Sequence, residues 1–80
     1  MNTSNTYIKD LVNHLLTPAN PKSMEKILSG LLTPSELSEI SKRLQILKLL
    51  ESGMPQRQIA EKLGVGIATV TRGSRALKGE

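Results

Sequence analysis

The sequence predicts an all-α protein, and three observations support this class. Its 80 residues include one Tyr and neither Phe nor Trp, so the core must consist of Leu, Ile, Val, Met and Ala, which as a set favour helices more than strands. Apolar residues recur three and four positions apart, the spacing of one helix face. Prolines and glycines separate these stretches. Such a short chain is one domain and buries little surface, so we expect it to associate.

Two helices are expected before residue 32. The first begins at Thr6, after a polar and frayed segment from Met1 to Asn5, and ends at Thr17-Pro18. The second begins with Asn20 as N-cap and Pro21 at the first helical position. Their apolar stripes are Ile8, Leu11, Val12 and Leu15 in the first helix, and Met24, Ile27, Leu28 and Leu31 in the second.

The third helix has the clearest start signal in the chain. Thr33 as N-cap, Pro34 at the first position and Glu36 at the third form a capping box. The helix continues to Gly53, with apolar residues on more than one face: Leu37, Ile40, Leu44, Ile46, Leu47, Leu49 and Leu50. Two short neighbouring helices cannot cover so much apolar surface, which favours a partner chain over a monomeric bundle.

The stretch from Gln56 to Arg75 predicts a helix-turn-helix. Gly64 is placed to end its first helix, and the small Ala60 lets the two helices approach closely. The apolar positions are Ile59, Ala60, Leu63, Val65, Ile67 and Val70, and the second helix is expected to offer Ala68, Thr69, Thr71, Arg72 and Arg75 to solvent. This mixture suits bases and phosphates. A plain αα-hairpin packed in a small bundle is the alternative.

Composition excludes several other classes of function. Eleven Lys and Arg against seven Asp and Glu give a net charge of +4, which suits a polyanionic partner. The chain has no Cys, and its one His, His14, cannot form a metal cluster, so neither a metal site nor an enzyme is expected. It also lacks a long apolar run and a signal peptide. We therefore expect a soluble, cytoplasmic protein without a membrane partner.

Three short motifs resemble those of the bacterial Trp repressor family. They are G-I-A-T-V-T-R-G-S from Gly66 to Ser74, L-T-P-S-E from Leu32, and Q-R-Q-I from Gln56. The resemblance covers Leu32 to Lys78. It implies an intertwined homodimer with residues 6–53 as dimerisation helices and residues 55–78 as the helix-turn-helix. Such a dimer would bind a palindromic double-stranded operator and repress transcription, with L-tryptophan as corepressor.

The same resemblance implies the residues of both sites. For tryptophan, Arg43 and Arg72 would sandwich the indole, Gly73 would let its edge pack, and Leu32 and Thr33 of the partner subunit would meet its backbone groups. For DNA, four residues match the positions that meet base edges, namely Ile67, Ala68, Thr69 and Thr71. Arg57 matches a guanine contact and Gln56 a phosphate contact. Charge and position alone assign Lys62 and Arg75 to phosphates.

The chain departs from the family pattern at three places. Ala76 stands where the family has a serine that helps hold the amino group, Pro55 stands where a capping serine is expected, and one residue is missing from the preceding turn. The family continues into a further helix, whereas this sequence stops at Glu80, so we expect a weaker or differently built dimer. Two alternatives stay open: a related regulator that is constitutive or senses another ligand, and a DNA-binding piece of a recombinase or transposase.

Overall fold

The computed structural model describes the backbone of residues 3–79 and the side chains of residues 5–79, so the expectation for Met1 and Asn2 lies outside it. The described residues form five α-helices and no strand: α1 (Thr3–Leu15), α2 (Pro21–Leu31), α3 (Pro34–Glu51), α4 (Gln56–Leu63) and α5 (Ile67–Leu77). The predicted all-α class is confirmed. Two compact units are present, one ending at Leu37 and the other beginning at Ser38.

Helix α1 is longer than the sequence predicted. It begins at Thr3, so the expectation of a frayed segment is wrong from Thr3 to Asn5. The segment from Thr3 to Asn5 contains no apolar residue, so it gave no periodic signal of a helix. The end is as expected. After Leu15, the Thr17 hydroxyl donates to the main-chain oxygen of His14 over 2.7 Å.

The two later start signals in the first unit act as predicted. The side chain of Asn20 accepts from the backbone N–H of Ser23 over 2.9 Å, with Pro21 opening α2. At α3, the Thr33 hydroxyl accepts from the Glu36 N–H over 3.1 Å, while the Glu36 carboxylate accepts from the Thr33 N–H over 2.8 Å. This reciprocal pair is the predicted capping box.

The capping box predicts a pH-dependent stability. The backbone hydrogen bond from Thr33 is the main cause that lowers the pKa of Glu36 below its ordinary value of 4.5. Because the pKa of Glu36 is lower in the folded state than in the unfolded state, the carboxylate stabilises the fold fully at pH values above the unfolded-state pKa. This contribution is lost as pH falls through the folded-state pKa. We expect Glu36→Gln to be less stable than the wild type near neutral pH and equal to it in acid. Urea unfolding at both pH values measures this; a difference that does not change with pH would contradict it.

The second unit is built on a small apolar core at the meeting of α3, α4 and α5. Ile46, Ile59 and Val70 are at most 1% exposed, and partly buried side chains surround them: Leu49, Leu50, Met54, Ala60, Leu63 and Val65. Ile59 and Val70 come from the two helices of the predicted helix-turn-helix. Burying these β-branched residues together fixes how α4 and α5 pack against each other.

The turn between α4 and α5 has the predicted geometry. Gly64 adopts φ 66° and ψ 37°, a left-handed conformation that costs a glycine little. The N–H groups of Gly64 and Val65 both donate to the main-chain oxygen of Ala60, which satisfies the end of α4. At the other end of α4, Pro55 is the N-cap and provides no side-chain hydrogen bond. The left-handed conformation of Gly64 therefore ends α4 and forms the turn to α5.

Part of the apolar surface of each unit is left uncovered within the chain. On α3, Ile40 is 39% exposed and Leu44 is 51% exposed. In the first unit, the exposed large apolar side chains are Tyr7, Ile8, Leu11, Val12, Leu16 and Leu31. An uncovered surface of this kind is what the sequence led us to expect of a chain that associates.

Candidate functional site

A cavity of about 490 Å³ lies within the second unit, between α3 and α5. Such a volume falls in the usual range for small-molecule sites. Ten side chains or backbone segments line it: Glu39, Lys42, Arg43, Ile46, Leu47, Val65, Thr69, Arg72, Gly73 and Ala76. We call this the α3–α5 cavity. It combines an apolar floor with charged groups at the exposed side, which suits a ligand that is partly apolar and partly ionised.

Three residues predicted for the ligand meet in this cavity. Arg43 comes from α3, and Arg72 and Gly73 come from α5, so each helix contributes one guanidinium group. A guanidinium is planar, stacks on aromatic faces and pairs with carboxylates through two parallel hydrogen bonds. Both arginines are exposed and available. The structure therefore brings Arg43 and Arg72 to one cavity although they are distant in sequence, and their binding of a ligand stays a prediction.

Gly73 has a packing role that the sequence did not reveal. A Cβ at this position would lie 2.8 Å from Cγ2 of Ile46 and 3.7 Å from Cδ1 of Leu50. Real Cβ atoms do not approach carbon so closely. The missing side chain thus lets α5 pack directly on α3 and sets the width of the α3–α5 cavity.

Leu32 and Thr33 belong to the first unit, whereas residues of the second unit alone line the α3–α5 cavity. Leu32 is half-buried, and its N–H donates to the main-chain oxygen of Leu28 over 2.9 Å. Thr33 takes part in the capping box. Their predicted contact with a ligand concerns the partner subunit, and it stays a prediction.

The residues predicted for DNA divide into two groups by exposure. Five of them are exposed on α4 and α5: Arg57, Lys62, Ile67, Ala68 and Arg75. Ile67, at the start of α5, is 51% exposed even though the sequence placed it in the apolar pattern. An exposed apolar side chain and an alanine beside it leave room for a close approach to a surface such as a DNA groove.

The other three predicted DNA residues are half-buried, so the expectation that Thr69 and Thr71 face solvent is wrong. Thr69 lines the α3–α5 cavity. The Thr71 hydroxyl lies 2.9 Å from Oε1 of Gln56 and 3.0 Å from the main-chain oxygen of Ile67, so these two oxygens share its single proton. The Thr71 bond ties α5 to α4. It uses the oxygen of the Gln56 amide and leaves the NH₂ group free to donate.

Sequence reasoning missed several residues of the cavity. Glu39, Ile46 and Leu47 lie on α3 three or four residues from Arg43, and Lys42 directly precedes it. Helical spacing around Arg43 would have found the first three, because side chains three and four apart on a helix are neighbours. Lys42 lies three residues after Glu39 and four before Ile46, so the same rule applied to those two residues would have found it. Val65 gave no such signal, since it enters the cavity from the turn before α5.

Other kinds of site find little support in the part of the chain that the structure describes. No group of three or more His, Cys, Asp or Glu side chains there could hold a metal ion. Among the described helices, none combines the length and apolar character that crossing a bilayer requires. A second cavity, of about 400 Å³, lies in the first unit and is lined by Tyr7, Asp10, Leu11, His14 and Leu31.

Comparison with known proteins shows that this chain is a transcription regulator and not an enzyme. More narrowly, it belongs to the family described as Trp repressor protein, whose model matches residues 6–80. No solved structure gives a significant match.

Curated relatives agree with this family. A Trp operon repressor homolog of Vibrio vulnificus strain YJ016 is 44% identical over 72 residues, which are 89% of this chain and 68% of the relative. A Trp operon repressor homolog of Chlamydia trachomatis serovar D is 48% identical over 59 residues, 72% of this chain and 63% of the relative. That of Vibrio cholerae is 49% identical over 55 residues, 68% of this chain and 53% of the relative. The matched part of the chain thus spans 53–68% of the length of these three proteins.

Proposed function

We propose that this protein is a sequence-specific DNA-binding repressor that takes L-tryptophan as its corepressor. The observation that carries the proposal is the meeting of Arg43, Arg72 and Gly73 in the α3–α5 cavity. Family membership supports the same function, since the relatives are Trp operon repressor homologs. Nothing in the proposal requires a metal or a catalytic residue.

The chemistry of the cavity suits an aromatic amino acid. Two guanidinium groups can cover the faces of a flat ring, and one of them can also pair with a carboxylate. Ile46, Leu47 and Val65 supply apolar contacts for the edge of the ring. A volume of about 490 Å³ leaves room for a bicyclic side chain together with its backbone groups.

The exposed residues of α4 and α5 form the proposed DNA-reading surface. Ile67 and Ala68 at the start of α5 would meet base edges, and Arg57 would pair with a guanine. Lys62, Arg75 and the free NH₂ of Gln56 would bind phosphates. Thr69 and Thr71 would act indirectly, Thr69 through the cavity wall and Thr71 by holding Gln56 in place.

A homodimer is part of the proposal. A palindromic operator has two half-sites about one helical turn apart, so a dimer would place one head in each major groove. The uncovered apolar residues of the first unit and of α3 offer a surface for the second copy. Such a partner would also bring its own Leu32 and Thr33 to the ligand.

The ligand would couple to DNA binding through α5. This helix carries Arg72 on the cavity and Ile67, Ala68 and Arg75 on the reading surface. Tryptophan held between α3 and α5 would favour one orientation of α5. A ligand shifts such an equilibrium only by binding one orientation more tightly than another.

A related regulator that senses another ligand is the second candidate, and Ala76 favours it. The residue lines the cavity, where its methyl group can neither donate nor accept a hydrogen bond. An amino acid would lose one polar contact there. A ligand without an amino group would lose nothing.

Titration calorimetry with L-tryptophan, followed by binding to an operator selected from random duplexes, tests the proposal. We expect saturable binding of tryptophan and at least tenfold tighter operator binding in its presence, the size of a moderate coupling between sites. The absence of Trp from the chain leaves ligand fluorescence free of background. If tryptophan does not bind, its role as corepressor is refuted. The proposed DNA binding is then tested separately by its dependence on salt concentration.

The salt arm of the same experiment tests DNA binding by itself. Each neutralised phosphate contributes a slope of about 0.9 to the fall of log affinity with log salt. Lys62→Gln should lower this slope by about one contact. Lys26→Gln is the matched control, because Lys26 lies on α2 in the first unit and is not a predicted contact. A flat salt dependence of the wild type would refute the DNA-reading surface.

A further inference from the structure

The charges around the α3–α5 cavity are unequal. Among the described residues that line it, three are cationic, namely Lys42, Arg43 and Arg72, and one, Glu39, is anionic. The cationic side chains can pair with the carboxylate of an amino acid. Its ammonium group needs an acceptor, which no lysine or arginine can supply. The partner's Leu32 and the partner's Thr33 are already proposed to meet the backbone groups of the ligand; a further acceptor from this chain must come from the remaining polar side chains of the cavity wall.

Among the described side chains of this wall, two can accept a hydrogen bond. Thr69 offers a neutral hydroxyl on α5, and Glu39 offers a carboxylate on α3. A hydrogen bond between ionised partners is about twice as strong as one between neutral groups. Glu39 lies four residues before Arg43, so the two side chains lie next to each other on one helix face. A ligand stacked on Arg43 would therefore have Glu39 beside it along α3.

We infer that Glu39 binds the ammonium group of the ligand and makes the cavity selective for α-amino acids over plain aromatic carboxylic acids. This inference rests on the proposed function of the cavity. It gives Glu39 the task that Ala76, with its methyl group, cannot perform. Arg43 and Arg72 then bind the ring and the carboxylate, and the Glu39 carboxylate accepts a hydrogen bond from the ammonium group.

The competing explanation is an ordinary surface ion pair. A glutamate four residues before an arginine stabilises a helix by a few tenths of a kcal/mol whether or not a ligand is present. In that case Glu39 would hold Arg43 away from the ligand. Removing its charge would then strengthen the binding of any aromatic acid, with or without an amino group.

Calorimetric titration of two ligands separates these explanations. L-tryptophan and indole-3-propionate share the ring and the carboxylate and differ in the amino group. We expect Glu39→Gln to bind L-tryptophan about fivefold more weakly, the size of one charge-assisted hydrogen bond in a partly exposed site. Its affinity for indole-3-propionate should not fall. Glu51→Gln is the control, since Glu51 is exposed on the same helix and does not line the cavity.

A rescue strengthens the test. Adding Ala76→Ser to Glu39→Gln introduces a hydroxyl acceptor on the α5 wall and should recover part of the lost affinity for L-tryptophan alone. An equal loss for both ligands, no loss for either, or stronger binding of both would overturn the role of Glu39. If the wild type bound neither ligand, the proposed function itself would fail. Wild-type binding of L-tryptophan therefore distinguishes the two failures.

Discussion

Replacing Gly73 with alanine is expected to lower the free energy of unfolding by about 2 kcal/mol, in the range for overpacked cores. The new Cβ would lie 2.8 Å from Cγ2 of Ile46. Ile46 cannot easily move aside, because it is 1% exposed and its β-branched side chain has few rotamers in a helix. Helix α5 would have to shift from α3. Urea denaturation followed by circular dichroism measures the loss.

Gly30→Ala is the matched control for this prediction. Gly30 is also a glycine inside a helix, yet a Cβ there would meet no atom within 4 Å. Alanine is the better helix former by roughly 0.5–1 kcal/mol, so this variant should be as stable as the wild type or more stable. Equal effects at Gly30 and Gly73 would show that helix propensity alone is being measured.

A double-mutant cycle identifies the clash. Ile46→Ala removes the side chain that the new methyl group would meet and is itself destabilising, because it leaves a cavity. In that background, Gly73→Ala should cost much less than in the wild type. Additive effects would mean that α5 is held in place by something other than the close approach of Gly73 to Ile46.

Arg72→Ala is expected to weaken the binding of L-tryptophan at least tenfold, and Arg43→Ala is expected to weaken it by a similar factor. Each variant removes a cation that we propose stacks on the ring or pairs with the carboxylate, and hydrogen bonds to charged groups contribute about 1.5–3 kcal/mol. Replacing either arginine with lysine should keep only part of the wild-type affinity. An ammonium group is not planar, so it can neither stack flat on the ring nor donate two parallel hydrogen bonds to the carboxylate. Titration calorimetry measures all four variants.

Arg75→Ala separates the ligand site from the DNA-reading surface. Arg75 lies one turn beyond Arg72 on α5, is exposed and does not line the α3–α5 cavity. This variant should bind tryptophan as the wild type does and bind operator DNA more weakly, with a smaller salt slope. Unchanged tryptophan binding by Arg72→Ala would refute its place in the ligand site. Equal losses in Arg72→Ala and Arg75→Ala would point to a general effect of charge.

The exposure of side chains on α5 depends on contacts with residues distant in sequence, and the sequence predicted it less accurately than it predicted the helices. Thr69 and Thr71 flank the buried Val70 on α5, and their polarity suggested that they face solvent as Ala68 and Arg72 do. The packing of α5 turns Thr69 to the cavity and brings Thr71 within 2.9 Å of Gln56. The first turn of α1 was also missed, since polar residues at a helix start leave no periodic signal.

The sequence by itself determined the all-α class and the ends of its helices wherever the cause is local. Asn20, the Thr33 and Glu36 pair, and Gly64 act within three or four residues through caps and a left-handed turn, so their types and spacing are sufficient. Only the tertiary structure decided which residues of α5 meet those of α3 at the α3–α5 cavity. The approach of Gly73 to Ile46 and the meeting of Arg43 and Arg72 at one cavity depend on how α5 packs on α3. That packing is fixed by the burial of side chains far apart in the chain, which no local pattern records.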